Sequence, residues 1–271
     1  MTVTVRTGRS IGEVLFVLVL VAIVGALLVP WMQSSRERSR QVRCQANLQA
    51  IATGLQNYQT TFSHFPVGTF DQAGSVCNTP VGFHHNWLSG LVAPMGLQAV
   101  SDAIDRDVSV YAPGNDAART LVIPSFHCPA STHVPENMTD YAGCVGSQDA
   151  AITPERDGVF LANRFLTADD VADGMDYTVF VGEKLPLRPD HGWLSGTRSS
   201  LRNGRMIADP GDPDGPEAEC RVGGFGSRHP GGAYLLMGSG RLAFFSDSTD
   251  PLTLRQLAAR SDQGERADQG E

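Results

Sequence analysis

Apolar and polar positions along this chain change their period twice. From Val14 to Val29 sixteen residues pass without a charge. With Pro30, Trp31 and Met32 the run approaches the ~20 residues that span a bilayer. The pattern predicts a transmembrane helix at about 14–32. A secretory signal peptide is the rival reading. It is disfavoured by the length of the run, the lack of an A-x-A site and the aromatic at its far end, which suits an interface.

The second period begins at Cys44. Cys44, Leu48, Ile51, Leu55, Tyr58 and Phe62 recur at intervals of 4, 3, 4, 3 and 4, which is one apolar stripe on a helix. Gln45, Gln49, Gln56 and Gln59 fall on its other faces. Gly54 within it costs about 1 kcal/mol relative to Ala, so packing must hold that turn. Residues 33–62 therefore read as the amphipathic half of one N-terminal helix. Pro30 is expected to kink it, and Phe65-Pro66 to end it.

Beyond residue 66 apolar runs shorten and Gly and Pro become frequent. Val159–Leu161, Tyr177–Gly182, Ala233–Met237 and Leu242–Phe245 read as strands. Trp87–Val92 reads as a short helix or strand, and Leu252–Ala259 as a short helix. The organisation is a leader at 1–8, a helix at 9–65, a globular body at 66–250 and a polar tail at 251–271. The fold class is α+β, a long N-terminal helix packed on a mainly antiparallel sheet with long loops.

Charge sharpens this picture. The chain has 271 residues and a net charge of −8. Residues 1–43 hold six Arg and two Glu, so the remainder carries −12. An acidic body argues against nucleic acid as a partner. Glu13 stands at the start of the apolar run, where an ionisable residue is rare and usually functional. Arg36, Arg38, Arg40 and Arg43 follow the run, and the positive-inside rule reads them as cytoplasmic.

Candidate chemistry is sparse. Five Cys stand at 44, 77, 128, 144 and 220 without a C-x-x-C pair, so a zinc ribbon is not expected. Outside the cytoplasm they allow up to two disulfides. His84-His85 are adjacent and lack H-E-x-x-H spacing, so they read as surface or loop residues. His229 in S-R-H-P-G-G reads as fixing a turn. Ser227 and Ser239 lack the G-x-S-x-G elbow, so no catalytic residue is assigned and no enzyme is expected. Asp209, Asp212 and Asp214, with Glu217 and Glu219, offer the oxygens that Ca²⁺ takes, but without EF-hand spacing. Such loops are usually only solvated, and no cofactor is expected.

The chain start resembles a type IV prepilin N-terminus, in Gly8, Ser10, Glu13 and Pro30. The resemblance implies that a prepilin peptidase cuts after Gly8 and that the new amine at Arg9 is methylated. Glu13 is then fifth and Pro30 twenty-second, as in pilins. Arg9 departs from the usual Phe. Further landmarks run along the body: CQANLQAIATGLQNYQTTFSHFPVG (44–68), FHCPAS (126–131), YAGCVG (141–146), DGVF (157–160), DVADGMDYTVFVGE (170–183) and SRHPGGAYLLMGSGRLAFF (227–245). They resemble the planctomycete-type pilin-like proteins that carry the domain of unknown function numbered 1559.

The resemblance implies a pseudopilin-like, non-enzymatic subunit of a type IV pilus-like or type II secretion-like filament. Its expected place is the cytoplasmic (inner) membrane, single-pass, with the C-terminal body extracytoplasmic and other pilin-like subunits as partners. Glu13 would pair with the amine of a neighbour. This topology opposes the reading of the four arginines, and the start motif is given precedence. The alternative is a permanently anchored extracytoplasmic binding module that does not polymerise. Cys44 lies on the apolar stripe and Cys128 in a landmark. A bond between them would tie helix to head, and two buried thiols are the alternative.

Overall fold

The computed structural model describes residues 11–72, 74–131, 137–208 and 218–261. Gly8 and Arg9 of the expected cleavage site, and Asp209, Asp212 and Asp214 of the acidic loop, lie outside the described residues. The chain divides into two units, Met1–Val42 and Arg43–Glu271.

Helix α1 spans Ile11–Phe62 and is helical through Pro30. In the first unit the apolar side chains of residues 14–24 are exposed on every face, Leu15, Phe16, Leu18 and Val21 among them. In the second unit one stripe is buried. Cys44, Leu48 and Ile51 are fully covered, and Ala52 and Leu55 nearly so. Tyr58 is half-buried and Phe62 exposed, so the predicted stripe leaves the core one turn before the helix ends. Ser63, at φ 63°, turns left-handed and its N–H bonds back to the Gln59 carbonyl at 2.7 Å. That cap closes the helix ahead of Pro66.

The body begins with a short antiparallel pair, β1 (Thr69–Phe70) and β2 (His85–Asn86). Helix α2 (Trp87–Leu91) follows at once, because the Asn86 side chain accepts the Ser89 N–H at 3.0 Å and caps it. Two short helices, α3 (Gln98–Asp102) and α4 (Asp116–Arg119), punctuate the next loops.

The main sheet contains β3 (Tyr141–Gly146), β4 (Val179–Glu183), β5 (Leu201–Ile207), β6 (Gly224–Phe225), β7 (Gly232–Met237) and β8 (Leu242–Ser246). Their order is β6-β5-β3-β4-β7-β8. The pairs β3–β4, β4–β7 and β7–β8 are antiparallel, whereas β5 joins β3 and β6 in parallel. The class is α+β, and the sheet is mixed.

Each face of the sheet buries its own cluster. Along β7 the side chains alternate between them: Ala233, Leu235 and Met237 join one, Leu236 the other, as a two-residue period requires. The larger cluster takes the α1 stripe, Tyr141, Phe160, Phe180 and Trp87. The smaller takes helix α5 (Pro251–Ala258) through Leu254 and Ala258. Gly204 of β5 lets this helix lie flat, since a Cβ there would collide with Ala258.

One expected strand is not formed, and one strand that forms was not expected. Val159–Leu161 is buried but is not a strand. Gly158 crosses the Val145 backbone so closely that no Cβ would fit. The N–H groups of Val159 and Phe160 then share one acceptor, the Cys144 carbonyl. Conversely, β5 (LRNGRMI) has no apolar alternation, yet is mostly buried. Arg202 there is fully covered and donates to the carbonyls of Leu185 and Leu201 at 2.9 and 3.0 Å.

Candidate functional site

Four segments bring reactive side chains together inside the body. α1 supplies Cys44, the segment after Phe126 supplies Cys128, the end of β4 supplies Glu183, and the loop between β6 and β7 supplies His229. Cys44 and Cys128 are joined as a disulfide across 84 positions. A second bond joins Cys77 to Cys220 across 143. Among the described residues Cys144 is the free cysteine, and burial pushes its thiol up to about 12, which leaves it inert.

Around the first disulfide the contacts are specific. His229 Nε2 lies 3.4 Å from Cys128 Sγ and 3.3 Å from Glu183 Oε1. Glu183 Oε2 accepts the Tyr234 N–H at 2.8 Å. The His229 N–H is held by Ser227 Oγ at 3.0 Å. The Cys128 N–H donates to Asp140 Oδ2 at 2.8 Å, and Ser131 Oγ donates to Asp140 Oδ1 at 2.6 Å. On the α1 side the Tyr141 hydroxyl donates to the Cys44 carbonyl at 3.2 Å, and Asn47 donates to the His127 carbonyl at 2.6 Å. One ligand-type atom from each of Cys44, Cys128, Glu183 and His229 falls within 4.8 Å of the others, and all four residues are buried.

A second arrangement is a cavity of about 510 Å³ beside the end of α1. Its walls include Tyr58, Phe62, Phe70 and Phe83, with His85 and Arg106 among the polar lining groups. The Arg106 guanidinium is fixed by the Ser89 and Ser101 carbonyls at 2.9 and 3.1 Å. Such a size and apolar lining suit a small ligand.

The histidines stand differently from their sequence reading. His84 and His85 are both buried, not surface residues. His84 faces the Tyr111 hydroxyl at 2.8 Å, and His85 Nε2 donates to the Val108 carbonyl at 2.8 Å. His84 stands at φ 52°, ahead of the β2 strand that begins at His85, and the two rings take different partners. Burial lowers the pKa of each imidazole, which favours the neutral ring. His229 does not merely shape a turn; it is a buried neighbour of Glu183. Glu183 is not marked as a candidate by any sequence motif. The one available signal was a charged Glu-Lys pair closing the apolar run VFVG.

The profile of a protein of unknown function, DUF1559, matches residues 33–252. The chain belongs to the DUF1559 family. No curated protein and no solved structure matches it. The DUF1559 match takes in the second half of α1 and the whole main sheet. The apolar half lies mostly ahead of it, and has the length and composition of a membrane span or of a signal sequence. The DUF1559 body and the apolar helix together fit a membrane-anchored extracytoplasmic protein.

Proposed function

We propose that this DUF1559 chain is a non-enzymatic subunit of a type IV pilus-like or type II secretion-like filament, held in the cytoplasmic membrane until it assembles. The observation that carries the reading is α1 itself. Its first half is apolar all round with Glu13 in the first turn, and its second half is part of the body core. A helix so divided is stored in lipid and later packs among its own kind. Prepilin peptidase and other pilin-like subunits are its partners, and the acidic body stays outside the cytoplasm. Glu13 then neutralises the amine of a neighbouring subunit, which lipid penalises when unpaired.

N-terminal sequencing and intact mass of the purified chain test this directly. A chain beginning at Arg9 supports it; one beginning at Met1 or after residue 30 overturns it. Gly8→Val leaves the leader attached. Glu13→Ala is still cleaved but is lost from the sheared-filament fraction. A reporter at the C-terminal end is active only outside the cytoplasm.

The aromatic cavity favours a second reading, a permanently anchored binding module. That reading predicts that Glu13→Ala leaves the distribution between membrane and sheared fractions unchanged.

A further inference from the structure

We propose that Cys44, Cys128, Glu183 and His229 form a tetrahedral zinc site when the two cysteines are dithiol, so that this position takes either a disulfide or a metal. Zinc bond lengths of ~2.0–2.3 Å put the N–O edge of a tetrahedron at about 3.4 Å and the S–N edge at about 3.6 Å. The His229–Glu183 and Cys128–His229 separations are 3.3 and 3.4 Å. Two edges are thus in place before any metal binds. The two sulfurs must part to about 3.8 Å, the S–S edge for the same bond lengths, and the other three separations, all within 4.8 Å, must settle to edges of about 3.6 Å.

The donor set selects the ion. Two thiolates and an imidazole suit zinc or a similar borderline-soft divalent cation, not calcium or magnesium. The surrounding bonds orient the donors as outer-shell partners do. The Tyr234 N–H holds Glu183 Oε2 and leaves Oε1 toward His229, while Ser227 holds the His229 backbone and Asp140 that of Cys128. Four protein ligands in a buried site leave no open position, so the metal would be structural. It would fasten α1 to β4 through Glu183, whereas the disulfide ties α1 to the segment that carries Cys128.

The charges and atoms balance. A phosphine reductant supplies two electrons and becomes the phosphine oxide with oxygen from water. The S–S bond breaks and each sulfur takes a proton. Zn²⁺ then displaces both protons, and two thiolates, one carboxylate and a neutral imidazole leave the site at −1. Without the metal two thiolates beside Glu183 would carry −3 in a buried place, so the thiols stay protonated until a cation arrives.

The test uses the full chain in detergent micelles, reduced with a phosphine under anaerobic conditions and titrated with Co²⁺. The expected result is one tightly bound equivalent with intense tetrahedral d–d bands and a sulfur-to-cobalt charge-transfer band. One equivalent of Zn²⁺ abolishes both and protects Cys44 and Cys128 from alkylation. The bands are lost in Cys128→Ser and His229→Gln, and in the oxidised chain. They persist when Cys77 and Cys220 are both replaced by Ser. A weak octahedral spectrum from the reduced wild type overturns the proposal, whatever the variants do. So does retention of the tetrahedral bands in His229→Gln.

Discussion

Lys184 Nζ lies 2.9 Å from Asp190 Oδ2, and the two side chains are 0% and 1% exposed. Lys184 is the one lysine of the chain. Burial alone would raise the Asp190 carboxyl, but the Lys184 ammonium and the Gly192 N–H outweigh it and hold the pKa below the ordinary 3.8. Asp190→Asn leaves a buried ammonium without its counter-charge, and a loss of about 3 kcal/mol is expected. The folded value lies below the unfolded one, so the contribution is full above 3.8 and fades as pH falls through the folded value. Denaturant midpoints of wild type and variant should differ at pH 6 and converge in strong acid. A constant gap down to strong acid would refute the assignment.

His84 works in the opposite range. Burial pulls it below 6.5 despite the Asp71 carboxylate 3.9 Å away. Just below 6.5 the unfolded chain binds the proton and the folded chain does not. Stability therefore falls with pH from about 6.5 until the folded value is passed. His84→Asn suits φ 52° and offers the Tyr111 hydroxyl a replacement partner. The thermal midpoint of this variant should depend less steeply on pH between 7 and 5. An unchanged slope would show that His84 is not the proton acceptor.

The buried stripe of α1 is tested by a neighbouring pair. Leu55 is buried and Gln56 is exposed. Leu55→Asp places an unpaired carboxylate among apolar groups and should cost about 3 kcal/mol or more. Gln56→Asp should change stability by less than about 0.5 kcal/mol. Urea unfolding of the two variants separates these outcomes, and equal losses would mean the stripe is misplaced.

Gly204→Ala probes the far face. Its new methyl would overlap Ala258 and push α5 off β5, an overpacking loss of about 1–3 kcal/mol. Hydrogen exchange should quicken first in 251–258. If exchange there is unchanged, the helix does not rest on Gly204.

Much of the fold was legible in the sequence because it follows from periodicity. The α1 stripe, β4, β7, β8 and α5 each announce themselves through spacing and bounding Gly or Asp residues. β5 does not, because Arg202 and Asn203 are buried by pairing with carbonyls rather than by hydrophobicity. The segment 159–161 misleads for the converse reason: its apolar character marks burial, and its backbone partners are set by the close crossing at Gly158. The cluster at His229 was illegible for a different reason. Its members stand 44, 128, 183 and 229 along the chain, and only the sheet order brings the ends of β4 and of the β6–β7 loop to the cysteine pair.

The link between Cys44 and Cys128 has a mechanical consequence. Among the described residues, Cys44 is the first fully buried one of α1. Tension drawn along the helix from its N-terminal side therefore meets the cross-link before it meets the Leu48–Leu55 stripe. The strain passes sideways into Cys128, and through Asp140 to the strand that begins at Tyr141. The stripe is spared from peeling turn by turn. In a chain tethered at one end, the junction where rupture would otherwise start becomes the one that resists longest.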